Sequence, residues 1–311
     1  MPESYTDTQI RNAAFAHVQQ LMATRDQLTS DDLRGGFQFE GERVPLINPQ
    51  RGIFKPQRMQ YLLSIRTVYP KAGGKIWYDD QRQVHEQIYR GDETVEYAFM
   101  GRDPDAADNR WLRDAYLNRI PIIYFLGVSP GRYTAVIPAF INNWDAKTLK
   151  AQVTFGIAEQ GVLELPDTAI ERRYALRQVQ QRLHQASFRD AVITAYDGRC
   201  ALSHLPERTL LDAAHIVGDR DESLGQPIVP NGLPLSKIHH AAFDAHLIGI
   251  DPDRRIHIAE RLWVQKDGPI LEALKGLRGT SIRMPRRKQD APDRDRLAQR
   301  FELFSKANAG A

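Results

Sequence analysis

The stretch VPNGLPLSKIHHAAFDAH, Val229 to His246, decides how the second half of the chain is read. An Asn-Gly pair is followed by two adjacent histidines, an Asp and a third His. Either this is a packed helix that carries imidazoles, or it is half of a metal site. Asp244 lies four residues after His240, so on a helix the two side chains are neighbours. Upstream, LLDAAHI (Leu210 to Ile216) is strand-like, and a strand alternates its faces. His215 then shares a face with Ala213, and Asp212 shares the other with Ala214. A polar loop containing Pro and Gly follows, with Asn231 sixteen residues past His215 and His240 nine residues further on.

A single helix histidine is more often a satisfied or exposed imidazole than a ligand. Asn-Gly alone is usually a turn. The ordered set His215, Asn231, His240 and Asp244 carries more information than any one member, and it needs a ribbon followed by a helix to have meaning.

These residues, Asp212 to Asp244, resemble the HNH nucleases, whose active site is a two-stranded ribbon and a helix around one divalent metal. With its flanks, the resemblance spans roughly residues 188 to 262. It implies His215 as general base, Asn231 as the residue that fixes the loop orienting that base, and His240 as a metal ligand. Asp244 falls where some members place a second helix ligand. The residue types suit phosphodiester hydrolysis: a water needs a base titrating near neutrality, and the departing 3′ oxygen needs a cation. Magnesium or manganese suits oxygen-rich ligation, and imidazole also admits cobalt or nickel. The chain departs from the family where many members have Asp or His just before the base; here that position is Ala214. Asp212, on the same strand face as Ala214, is the candidate replacement ligand. Many members also carry paired cysteines that hold a structural zinc. Here Cys200 has Ser203 and Ser236 in its partners' places, so no structural zinc is expected. His239 is open to three roles: replacing His240, contacting phosphate, or packing beside the helix. His246 is expected at the surface.

Working outward, DTAIERRYALRQVQQRLHQASFRDAVITAY begins with Thr168 as a cap and Glu171 three residues on, a capping-box pattern. Ile170, Tyr174, Val179, Leu183, Phe188 and Val192 form its apolar stripe. Ahead of it, residues 8 to 24 read as an amphipathic helix. Between these helices lie short strand-like runs broken by Gly, Pro, Asp or Asn, among them GIFKP, YLLSIRTVY, KIWYDD, VEYAFMG, IPIIYFLGV, GRYTAVIPAFI and AQVTFGI. One helix, NRWLRDAYLN, interrupts them. Such a series suggests a closed or half-closed barrel.

Within it, Gly73 to Ile141 is similar to the SRA domain, a barrel that flips a modified cytosine out of DNA. The shared order is Gly73-Gly74, Tyr78-Asp79-Asp80, Phe99 before Gly101, Asp108-Asn109, Ile120 to Val128 and Gly131-Arg132-Tyr133. The resemblance implies a flipped-base pocket, with aromatics to stack the base and a carboxylate to accept the cytosine amino hydrogen. Tyr78 (or Trp77) and Phe99 are the candidate stackers and Asp79 or Asp80 the acceptor. Arg102 and Lys75 are the candidate phosphate contacts. Alternatively the aromatics are barrel core and the Asp pair a turn.

The composition fits this division. The chain has 311 residues, 42% hydrophobic, with a net charge of +3. From Lys275 to Lys306 ten Lys/Arg face four Asp/Glu, so this tail is more basic than the whole chain and suits phosphate contact or a solvated surface. One cysteine excludes an internal disulfide framework and suits a reducing cytoplasm. No signal peptide is read at the start, and the longest apolar run is too short to cross a bilayer.

The expected class is α+β: residues 1–160 an SRA-like β-barrel, 161–189 a long linking helix, and 190–311 a ββα-metal nuclease domain with a basic tail. The expected protein is a modification-dependent DNA restriction endonuclease acting on double-stranded DNA that carries modified cytosine, as a cytoplasmic homodimer. Two alternatives stay open: an HNH DNA endonuclease whose front domain reads unmodified sequence, and a modified-DNA reader whose nuclease site has decayed.

Overall fold

The structure is a computed structural model that describes residues 6–25, 27–69, 80–159, 162–221, 223–266 and 268–309. It divides into two compact units, Met1–Ala186 and Ser187–Ala311. Among the described residues no helix is long and apolar enough to cross a membrane.

The first unit is built on a mixed sheet. Its strands are β1 (Leu28–Thr29), β2 (Ile53–Phe54), β3 (Ser64–Thr67), β4 (Val95–Ala98), β5 (Ile122–Ser129), β6 (Arg132–Asp145) and β7 (Lys150–Phe155). The path runs β2-β3-β5-β6-β7-β4, with β1 on β6. Only β3 and β5 pair in parallel; the other pairs are antiparallel. The path ends on β2 and β4, so the sheet is a curled half-barrel with two edges, the more open of the two forms expected.

Every residue of β5 is buried, which requires cover on both faces. Its alternation divides two cores. Ile122, Tyr124, Leu126 and Val128 belong to one. Ile123 and Phe125 belong to the other. The second core is closed by helix α1 (Asp7–Thr24) through Ile10, Ala14, Phe15 and Val18. The first is closed by α2 (Asp80–Arg90), α3 (Ala107–Leu117) and the early turns of α4 (Ala169–Ala195). Helices on both faces bury the inward aromatics; this is why the strand-like runs are so apolar.

The capping box of α4 forms as the sequence predicts. Glu171 N donates to Thr168 Oγ1 at 3.2 Å, and Thr168 N donates to Glu171 Oε2 at 3.1 Å. The predicted stripe is corrected at its start. Ile170 and Tyr174 are exposed, while Ala175, Leu176, Val179, Leu183 and Ala186 are buried. Helical spacing traced back from Leu183 and Val179 reaches Leu176 and Ala175, which puts Ile170 and Tyr174 on another face.

The second unit has its own core around Tyr196, Leu211, Ala214, Leu233, Leu235 and Phe243. It carries an antiparallel ribbon of β8 (Leu211–His215) and β9 (Gly232–Ser236), in the register Leu211↔Ser236 to His215↔Gly232. Helix α5 (Lys237–Asp244) follows directly, capped by Ser236. A hairpin of β10 (Ile248–Ile250) and β11 (Ile256–Ile258) comes next. The C-terminal helix α6 (Arg294–Asn308) lays the Phe304 ring against Gly249, where a Cβ would come within 2.6 Å of it. Leu235 is fully buried behind the ribbon. Leu235→Ala should therefore destabilise the protein by about 2–5 kcal/mol, read as a lower urea midpoint.

Candidate active site

Asn231 is fully buried and closes the loop that leaves the ribbon. Its Oδ1 accepts from Val217 N at 2.9 Å, and its Nδ2 donates to Val217 O at 2.9 Å and Gln226 O at 3.1 Å. Its backbone carbonyl accepts from Ile216 N at 2.9 Å. These bonds fix the chain immediately after His215. His215 thus stands at the open end of the ribbon, half-buried, opposite Gly232. Its Nε2 is buried with no hydrogen-bond partner among the described residues. Burial lowers the His215 pKa below the ordinary histidine value. The carboxylates of Asp219 and Asp244 oppose this shift, and His240 adds to it. The imidazole is therefore neutral at neutral pH.

His240, on α5, is held at both ring nitrogens. Nδ1 is 3.5 Å from Asp212 Oδ2, and Nε2 is 3.2 Å from Asp244 Oδ2. The contact with Asp212, then the charge of Asp244, outweighs burial and raises the His240 pKa. The same contact lowers that of Asp212. Asp212, β8's polar residue, and the helix pair His240/Asp244 are thus brought together as the sequence predicts. Asp212 nevertheless meets the opposite ring nitrogen from Asp244.

His239 points elsewhere. It is buried, with Nδ1 2.8 Å from Ser236 Oγ and 3.4 Å from Cys200 Sγ. Of its three open roles, the structure shows packing beside the helix. Cys200 Sγ also accepts from Ser203 N at 3.5 Å and Ser236 N at 3.3 Å. Burial pushes the Cys200 thiol up, but hydrogen bonds with His239, then Ser203 and the Leu202 backbone, bring it down to about 6.

Sequence reading gave the C-terminal helix no place in the site. Arg296 Nε donates to Leu224 O at 2.7 Å and its Nη2 to Gln226 Oε1 at 2.7 Å. Gln299 Nε2 donates to Asp221 Oδ2 at 2.9 Å. Arg300 Nη2 donates to Phe243 O at 2.8 Å and Asp244 Oδ1 at 3.3 Å. The loop between His215 and Asn231 and the end of α5 are therefore gripped by one helix face. The spacing 296, 299, 300 was the available signal, but it lay inside a basic tail that reads equally as a solvated surface.

Among the described residues no three His, Cys, Asp or Glu side chains converge on one point. His240 Nε2 and Asp244 Oδ2 still fit two corners of a cation site. Donors about 2.1 Å from one ion at a right angle stand about 3.0 Å apart, close to the separation found. Water and phosphate oxygens would complete such a shell.

In the first unit, Tyr78, Asp79, Trp77 and Lys75 lie outside the described residues, with Gly73-Gly74. Asp80 opens α2. Arg102 is exposed. Phe99, expected as a base stacker, is corrected: it is 3% exposed in the core, its ring 5.1 Å from that of Trp144. A side chain so enclosed has no free face to offer a base. Asp108 pairs with Arg51 at 3.1 Å. Asn109 bonds Met100 N and O and Asp103 O, so this Asp-Asn pair fixes the loop ahead of α3.

Residues 200–251 match the HNH endonuclease family model, and this segment holds Asp212, His215, Asn231, His240 and Asp244. One solved structure, the modification-dependent TagI restriction endonuclease, aligns with 18% identity and a TM-score of 0.29, covering 81% of this chain and 85% of its own. A likeness of that size carries nothing further. No curated protein matches the chain.

The ion pair around His240 has a pH signature in metal-free protein. The lowered Asp212 pKa contributes stability above the ordinary carboxylate value, lost as pH falls. The raised His240 pKa contributes stability below the ordinary histidine value, lost as pH rises. In chelator, wild type should exceed Asp212→Asn by about 1 kcal/mol between roughly pH 4 and 6.5, and by less on either side. Thermal unfolding across pH measures this.

Proposed function

We propose that this HNH-type DNA endonuclease hydrolyses phosphodiesters of double-stranded DNA with His215 as general base and with His240 and Asp244 as protein ligands of a divalent cation. We further propose that its N-terminal unit makes the cut depend on a modified cytosine. The observation that carries the first part is the grip on His240: one nitrogen is held by Asp212, which leaves the other, with Asp244, for a cation. Asp212 then orients a ligand instead of serving as one, since an acceptor on the far ring nitrogen fixes the tautomer. Asp244 Oδ1 stays with Arg300 while Oδ2 faces His240.

In the reaction, His215 Nδ1 removes a proton from water and the resulting hydroxide attacks phosphorus. The bond from phosphorus to the 3′ oxygen breaks, and that oxygen leaves. The divalent cation, magnesium or manganese, with cobalt or nickel as imidazole-tolerant substitutes, supplies positive charge for the leaving oxygen when bound. Asn231 keeps the base on its ribbon by fixing Val217. Ala214 supplies no ligand, so the site relies on two protein donors plus water, as magnesium tolerates.

The modified-base reading rests on the sequence resemblance of Gly73 to Ile141. With Phe99 in the core, stacking falls to Tyr78 or Trp77, with Asp79 or Asp80 as acceptor and Arg102 toward phosphate. One site per chain implies two copies for a double-strand cut, so a homodimer acts on DNA. The lone cysteine suits a cytoplasmic setting.

His215→Ala should reduce cleavage by at least about 100-fold while DNA binding persists; cutting at the wild-type rate would remove the assigned base. Duplexes carrying cytosine, 5-methylcytosine or 5-hydroxymethylcytosine should be bound and cut unequally, and equal treatment of all three excludes the reader. The pH profile should depend on metal concentration. His240 must lose its proton to ligate, so scarce metal places the acid limb at its raised pKa. Saturating metal displaces that proton and moves the limb down to the lowered pKa of His215, below about 6.5.

A further inference from the structure

A base held by hydrogen bonds needs an acceptor or donor at its far nitrogen. His215 has none there: Nε2 is buried and unpartnered among the described residues. Its ring lies instead on that of Phe188, with centroids 4.2 Å apart and planes 18° from parallel. Phe188 is 4% exposed and belongs to the last turns of α4, in the same compact unit as His215.

The sequence makes room for this contact. Gly232 faces His215 across the ribbon. A Cβ at Gly232 would collide with Val192 and come within 2.8 Å of Phe188. Any side chain there would push the ribbon off the helix that carries Phe188. The glycine after Asn231, extended at φ −132°, therefore serves close approach.

We propose that Phe188 is the positioning residue of the base, holding the His215 ring by face-to-face stacking so that Nδ1 is aimed at the water. This rests on the assignment of His215 as base. An aromatic stack sets the ring plane without spending a hydrogen bond, and a small rotation of a base costs rate far more than binding. The role is specific to an aromatic ring: an aliphatic side chain of similar bulk fills the space but leaves the plane free.

The test uses the full chain with manganese and a cleavable duplex, comparing wild type, Phe188→Tyr, Phe188→Leu and His215→Ala. Phe188→Leu should lower kcat by about 10- to 100-fold with KM within about twofold, and Phe188→Tyr should restore kcat to within about threefold of wild type. Independently of activity, histidine-labelled wild type should show the His215 Cε1–H resonance shifted upfield by the Phe188 ring current. The resonance is assigned through its loss in His215→Ala, and Phe188→Leu should return it downfield. An unshifted resonance in wild type, or a Phe188→Leu enzyme with wild-type kcat, overturns the proposal. If His215→Ala itself cuts normally, the base assignment fails instead. A dead His215→Ala beside a fully active Phe188→Leu leaves the base intact and removes only the stack.

Discussion

The second unit depends on one buried amide. Asn231 satisfies both backbone groups of Val217 and reaches Gln226 O as well. A fully buried amide left without these partners would cost about 1–3 kcal/mol, so the loop cannot open locally without penalty. Because the loop is fixed, the ribbon register is fixed, and His215 ends opposite Gly232. Because Ser236 ends β9 and caps α5, the helix starts where His240 can meet Asp212 across the ribbon. The asparagine that looks like a turn residue is the joint between the proposed base and the proposed ligand.

Electrostatics divides the labour between the two histidines. Burial lowers the pKa of His215, the proposed base. Two carboxylates, Asp212 first, raise the pKa of His240, the proposed ligand. Opposite shifts on neighbouring imidazoles are what base and ligand roles require of the same side chain. Arg300 limits the arrangement from outside by taking Asp244 Oδ1 and the end of α5. The basic tail thus acts first as internal scaffolding, since Arg296 is buried against the loop it holds.

Much of the candidate site was legible because its members are close in sequence and their order is meaningful. His215, Asn231, His240 and Asp244 span one ribbon and one helix, so spacing translates into geometry. The role of Asp212 was not legible: strand alternation gives the face but not which ring nitrogen it meets. Arg296, Gln299 and Arg300 escaped because their contacts run to residues more than fifty positions away. In the first unit, the strand runs were readable but their closure was not. The buried run of β5 is equally consistent with a closed barrel and with an open, curled sheet covered by helices on both faces, and the second is what occurs. Phe99 shows the same limit, since an aromatic in a strand packs into a core or faces a pocket with the same sequence pattern.

Anomalous diffraction from crystals grown with manganese addresses the central assignment most directly. The ion should sit within coordination distance of His240 Nε2 and Asp244 Oδ2, with Asp212 still on Nδ1 and His215 Nδ1 facing the adjoining water. Manganese coordinated by Asp212, or bound away from His240 altogether, would contradict it.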